Sequence, residues 1–162
     1  MQAITAREVF TTPLGAVSVC VSNGRVVEVG FVGEALPSFA ASHADGTLAK
    51  KAASQLGEYF AGKRKHFELP LKFSGTQFQE QIWKEIAKVP FGETATYKDL
   101  ATRIGKPKAS RAVGGAVGAN PIGIIVGCHR ILGSSGKLTG YSGGSGVPTK
   151  KQLLDLEGII YK

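Results

Sequence analysis

Residues 128–130 read Cys-His-Arg. A thiol, a proton acceptor and a cation in a row have the makings of an activated nucleophile. Only the thiolate attacks well, and a nearby base or cation lowers the pKa of a free cysteine from its usual value of about 8.5. The β-branched run Ile124-Ile125-Val126 precedes Gly127, and it predicts a short buried strand that ends at the cysteine. On an extended chain, adjacent side chains point to opposite faces. Contact between Cys128 and His129 then needs a turn or a bridging water. A catalytic base also needs an orienting partner, and Glu157 is the candidate acid. The second cysteine, Cys20, alternates with valines and reads as a small core residue. Read locally, Cys128 is either a nucleophile or a structural thiol. With no CxxC pair and no second clustered histidine, metal binding has no support.

The elements that would position these residues can be read along the chain. Val17, Val19 and Val21 alternate with polar or small residues, Asn23-Gly24 follows, and Val26 to Phe31 returns. Asn-Gly tolerates positive φ at both central turn positions, so this is a hairpin or small antiparallel sheet. Residues 33–46 read as a loop, 47–61 as a helix closed by Gly62, and 63–74 as an extended segment containing Pro70. A domain boundary near Ser74-Gly75 divides the chain into an N-terminal α/β domain, 1–74, and a C-terminal mainly helical domain, 75–162. Thr76 opens a helix with the apolar stripe Phe78, Ile82, Trp83, Ile86 and Val89. Thr96 caps a second helix that ends at Gly105, and Pro107 sets the start of a third over 108–118. Helix, short turn and helix make a helix-turn-helix pattern. A glycine- and serine-rich loop over 133–147 leads to a last helix over 150–158. The fold class is α/β of the α+β kind.

The helix over 108–118 carries Ala109, Ala112, Gly114, Gly115, Ala116 and Gly118. Glycine inside a helix costs about 1 kcal/mol relative to alanine. Two explanations stand: tight packing on a neighbouring helix, or close approach to an outside backbone such as a DNA minor groove. Lys98, Arg103, Lys106, Lys108 and Arg111 cluster here against the single acid Asp99, within a chain of net charge +8. That is either an electrostatic footprint for phosphates or a solvated face.

The chain from about Thr76 to Gly158 resembles the O6-alkylguanine-DNA alkyltransferases, also called methylated-DNA–protein-cysteine methyltransferases. The matching text is FQEQIWKEIAKVPFGETATYKDLA, RAVGGAVGANPI, CHR, GYSGG and LLDLEG, in that family's order and spacing. TPLG at 12–15 and EYFAG at 58–62 are similar to its variable N-terminal domain. The resemblance implies that Cys128 accepts an alkyl group from O6-alkylguanine in double-stranded DNA, with O4-alkylthymine as a second candidate substrate. It implies that His129 takes the thiol proton through a water and that Glu157 orients His129. It implies a hinge role for Asn120, a finger that fills the base stack for Arg111, and contact with the backbone at the flipped nucleotide for Tyr97. Ala112, Gly114 and Gly115 would lie against DNA, and Tyr141, Ser142 and Ile131 would hold the base. The reaction implied is direct, single-turnover repair by a monomer without cofactor or metal. A flipped base is needed because the target atom lies inside the duplex.

Gly127 departs from the family's proline before the cysteine, and Gly123 also stands where proline is common. Glycine leaves the bend looser. Proline at 127 is expected to stabilise by roughly 0.4–1 kcal/mol if φ is near −65° and the N–H is unbonded. The family's occasional N-terminal zinc site lacks its ligands here. A non-catalytic binder of alkylated DNA is the competing reading, but such relatives replace the cysteine. A helix-turn-helix regulator leaves CHR and GYSGG unexplained, and a cysteine hydrolase lacks further motifs. The start MQAITAREVF has no basic segment followed by an apolar run, and no stretch is long and apolar enough for a bilayer. The expected setting is soluble and cytoplasmic, with no membrane partner.

Overall fold

The computed structural model describes residues 3–162; Met1 and Gln2, the first residues of the expected N-terminal domain, lie outside the described residues. Three strands, β1 (Ala6–Thr12), β2 (Gly15–Ser22) and β3 (Arg25–Phe31), form an antiparallel sheet, with the two-residue β4 (Phe39–Ala40) on the free side of β1. The Asn23-Gly24 turn joins β2 to β3 with φ of 46° and 82°, as the hairpin reading required. Register pairs Val19 with Glu8 on one side and Val29 on the other. Helix α1 (His43–Phe60) lies on the sheet and buries Ala49, Ala52, Leu56 and Tyr59 among the valines of β2 and β3. It starts four residues before the predicted position. The reason is local: Ser42 is the N-cap, accepting from Asp45 N, and Asp45 also accepts from Thr5 and from Gly24 N. The side chain that begins the helix is thus held by the sheet.

In the second half, α2 (Gln77–Ala87), α3 (Tyr97–Arg103) and α4 (Ser110–Gly118) form the expected helical group. Capping boxes at Thr76/Gln79 and Thr96/Asp99 start α2 and α3 where the sequence placed them. Helix α4 begins at Ser110, not at Pro107, and has no side-chain cap, because its N-cap position is Ala109. Trp83 Nε1 donates to Ala116 O at 2.8 Å and pins α2 to α4. Helix α5 (Val147–Leu156) begins three residues earlier than expected, with Pro148 in its first turn, and ends before Glu157.

The strand expected over 124–126 does not form. Ile124 has φ 68° and is buried, and Ile125 N donates to Gly123 O while Val126 N donates to Ile122 O. The segment is a coiled turn, and Cys128–Arg130 follows as a single 3-10 turn. Strand propensity lost to a local network built on Asn120. Its amide donates to Val126 O at 2.9 Å, and its oxygen accepts from Ile122 N at 3.1 Å. The real strand here is β6 (Ile131–Leu132), which pairs in parallel with β5 (Ala95–Thr96) and so sets the cysteine turn beside the start of α3.

The two halves share one apolar core. Buried residues from Ala6 to Leu153 belong to a single cluster. The open edge of β3 holds the Asn120 turn: Val29 N donates to Pro121 O, and Gly123 N donates to Val29 O. The 63–74 segment joins the same strand through Val26 and Leu71.

Candidate active site

Cys128 lies at the floor of a cleft of about 320 Å³, walled by Tyr97 on α3, by Gly114, Val117 and Gly118 on α4, and by the loop residues Gly140, Tyr141 and Ser142. The residue is 7% exposed. A second cleft of about 350 Å³ reaches it from the β3 side, past Gly123 and Gly143-Gly144. The loop is fastened above the thiol: Ser142 Oγ donates to Gly118 O at 3.0 Å, and Thr139 Oγ1 and Tyr97 OH share a hydrogen bond of 2.7 Å.

Behind the thiol, His129 is fully buried, and its Nε2 lies 2.5 Å from Glu157 Oε2. Burial alone would raise the Glu157 carboxyl, but hydrogen bonds and charge from His129 and Arg130 outweigh it and hold the group well below the usual carboxylate range. Glu157 is therefore an acceptor, so His129 Nε2 carries the proton and Nδ1 has a bare lone pair. Nδ1 has no partner among the described residues. Burial also pushes the imidazole below its usual value, against the pull of Glu157. His129 is thus neutral at pH 7, with its free acceptor atom unused by the fold. The 3-10 turn, rather than a strand, sets this arrangement.

Glu157 is saturated. Oε2 also accepts from Tyr59 OH at 2.6 Å and Arg130 Nη2 at 3.1 Å, and Oε1 accepts from Arg130 Nε at 2.8 Å and Gly92 N at 3.0 Å. The third Arg130 donor, Nη1, goes to Val89 O at 2.8 Å. The carboxylate therefore has no freedom to turn away from the imidazole. Burial pushes the Cys128 thiol up, while Asn120, Lys150 and Tyr141 favour its ionised form. Tyr141 is itself held well above its ordinary value by burial and by the Cys128 charge, so its hydroxyl keeps its proton.

The structure brings Cys128, Tyr141, Ser142, Tyr97 and Gly114 to one cleft, sets Asn120 on the second cleft that also reaches Cys128, and buries His129 and Glu157 behind the thiol. Ile131 is fully buried and does not line it; its carbonyl accepts from Lys150. Arg111, Ala112 and Gly115 are exposed on α4 outside the cleft. The packing explanation holds for Ala116, which is buried where Trp83 of α2 meets α4, but not for the glycines. A Cβ at Gly115 or Gly118 would meet nothing within 4 Å, and one at Gly114 would meet only Tyr97 at 4.0 Å. Gly115 leaves space on the outer surface, and Gly114 and Gly118 leave it along the cleft.

Three participants went unnoticed in the sequence: Tyr59, Arg130 and Lys150. Arg130 stood in the motif, but its carboxylate partner lies 27 residues away. Tyr59 and Lys150 sit on helical positions that read as core or surface, and no local signal marks them.

Known proteins resemble both halves of the chain. The family model for the 6-O-methylguanine DNA methyltransferase DNA binding domain matches residues 77–159, and that for the ribonuclease-like domain of the same protein matches 6–73. The methylated-DNA–protein-cysteine methyltransferase of Methanosarcina barkeri is 54% identical over 108 residues, which is 67% of each chain. A crystal structure of the Mycobacterium tuberculosis O6-methylguanine methyltransferase superposes with a TM-score of 0.79 at 38% identity, covering 93% of this chain and 91% of that one. A crystal structure of Mycobacterium tuberculosis OGT in complex with DNA gives 0.80 at 39% over the same shares. With both halves matched by its models, this chain belongs to the 6-O-methylguanine DNA methyltransferase family.

Proposed function

We propose that this protein repairs DNA by moving an alkyl group from guanine O6 to Cys128, once per molecule. The observation that carries the reading is the grouping of a cleft-floor thiol with a neutral histidine whose free Nδ1 is directed by a saturated Glu157. The proton leaves Cys128 for His129 Nδ1 through a bridging water. The sulfur then attacks the alkyl carbon, the C–S bond forms and the C–O6 bond breaks. The electron pair passes to the guanine, which takes a proton from the Tyr141 hydroxyl, and Tyr141 recovers one from the relay. The products are an S-alkyl cysteine and guanine. Among the described residues no group in the site is placed to cleave a thioether, which fits a single turnover.

The target atom lies inside the base stack, so the reading includes a flipped nucleotide. The open outer face of α4, with Arg111 at its start and lysines before it, suits an approach to the minor groove. The reading extends to a monomer acting in the cytoplasm on O6-alkylguanine; among the described residues, no helix is long and apolar enough to cross a membrane. The test is to incubate the protein with duplex DNA containing O6-methylguanine and to weigh it. A gain of one methyl group, mapped to Cys128, supports the reading. Binding without gain supports a non-catalytic lesion binder instead.

A further inference from the structure

A groove of about 440 Å³ lies where the 63–74 segment crosses the end of α2 and the turn that leads to Cys128. It shares no lining residue with either cleft at the sulfur. Its walls are apolar, made by Phe67, Leu71, Val89, Phe91 and Ile125. The rings of Phe67 and Phe91 both rest on Tyr59, with centroids 5.7 and 6.0 Å from its own.

The rim is basic. Lys65, His66 and Arg130 line the groove, and no carboxylate does. Lys65 Nζ sits 5.8 Å from the Phe91 centroid and Arg130 Cζ 6.0 Å from it, so the ring has two cations beside it. Among the described residues no carboxylate pairs with Lys65. The one contact of His66, with Glu68 at 3.6 Å, joins two largely exposed side chains and is weak. Of the five N–H groups on Arg130, three are taken, by Glu157 and Val89.

The basic segment is held in place by α1. Lys63 N donates to Glu58 O at 2.8 Å, and Arg64 donates to Glu58 Oε1 at 3.4 Å and to His66 O at 3.1 Å. A groove built before its ligand arrives loses less order on binding. Apolar walls under a basic rim select an apolar side chain with carboxylates beside it. A phosphodiester backbone would use the cations and leave the apolar hollow unfilled.

We propose that this groove is a docking site for an acidic peptide segment of a partner protein. An aromatic side chain of the segment enters between Phe67 and Phe91, and its carboxylates meet Lys65 and His66. The site goes beyond the alkyl-transfer reading and does not depend on it.

The experiment uses the full chain and a fluorescein-labelled peptide, Asp-Asp-Asp-Leu-Phe with a free terminal carboxylate, followed by fluorescence anisotropy. Saturable binding is expected. It should weaken about tenfold or more in Lys65→Glu, in Ala87→Glu, and for a peptide with alanine in place of the phenylalanine. Lys65 and Ala87 are exposed and line neither cleft at the thiol, so both variants should fold and transfer methyl groups as the wild type does. Either variant carries the test if the other fails to fold. No saturable binding up to about 1 mM peptide overturns the proposal. Equal affinity for wild type and variants overturns it too, as does equal affinity for the peptide without its ring, which would show attraction to net charge alone. Unmodified duplex DNA added to the complex should leave the peptide bound. Displacement by DNA, with Lys65→Glu weakening DNA to the same degree, would make the segment part of a DNA footprint and overturn the proposal as well.

Discussion

The Tyr59 hydroxyl, on the helix that packs against the N-terminal sheet, donates to Glu157 Oε2 at 2.6 Å across 98 residues of sequence. The N-terminal half thereby helps to fix the acid that orients His129. Tyr59→Phe removes one donor from a buried carboxylate and leaves the ring in place. We expect a loss of about 1–3 kcal/mol in stability and slower transfer, with DNA affinity unchanged. Equal melting temperatures for variant and wild type would show that the remaining donors suffice.

Acid stability follows from the same carboxylate. The folded pKa of Glu157 is depressed, so its contribution is present above the ordinary carboxylate value of about 4.3 and is lost as pH falls through the folded one. Glu157→Gln should melt lower at pH 7, where Arg130 loses its charge partner, and its melting temperature should fall less steeply below pH 4. Parallel acid limbs for the two proteins would mean that other carboxylates carry the effect.

Cys128→Ser should abolish transfer and leave DNA affinity close to wild type, since phosphate contacts supply most of it. Cys20 offers no substitute; it is 4% exposed on β2 with Ser18 beside its sulfur. Methyl transfer mapped to Cys20 in the variant would sink the assignment of the acceptor.

Arg111→Ala should weaken repair of duplex DNA more than reaction with a free O6-alkylated base. Arg111 is exposed at the start of α4, away from the cleft, so it has nothing to do when no stack must be filled. Duplex affinity should fall with salt and vary little with the sequence around the lesion. Equal losses on both substrates would place Arg111 in folding or in the pocket instead.

Gly127→Pro was expected from the sequence to stabilise the fold. Its φ is −73°, which suits proline, and its N–H is bonded to nothing among the described residues. A third condition fails: a Cβ there would lie 2.8 Å from Arg130 Nη1 and 2.9 Å from Cζ. An exposed arginine would swing away, but this one is held by Glu157 and Val89. We expect Gly127→Ala and Gly127→Pro both to lower the melting temperature, by about 2–4 °C for each kcal/mol lost. A higher melting temperature in Gly127→Pro alone would restore the sequence expectation and show that Arg130 yields at little cost.

The sequence determined by itself what near neighbours decide. Two capping boxes, an Asn-Gly turn and the helix stripes are short-range signals, and they placed β2, β3, α2 and α3 closely. It also supplied the motif blocks, from which Cys128, His129, Glu157, Asn120, Tyr141 and Ser142 could be named before any geometry. The tertiary structure decided what depends on partners distant in the chain. Ile124-Ile125-Val126 has the composition of a strand but folds as a turn, because Asn120 and the edge of β3 satisfy its backbone in another way. Gly127 is small to admit a guanidinium held from 27 residues away. Tyr59 and Lys150 look like a core aromatic and a surface lysine on their own helices. Only the packing of one half on the other turns the first toward Glu157, and only the closing of α5 over β6 buries the second. Local pattern fixes where an element starts and stops, whereas burial and charge pairing are properties of surfaces that the chain brings together only on folding.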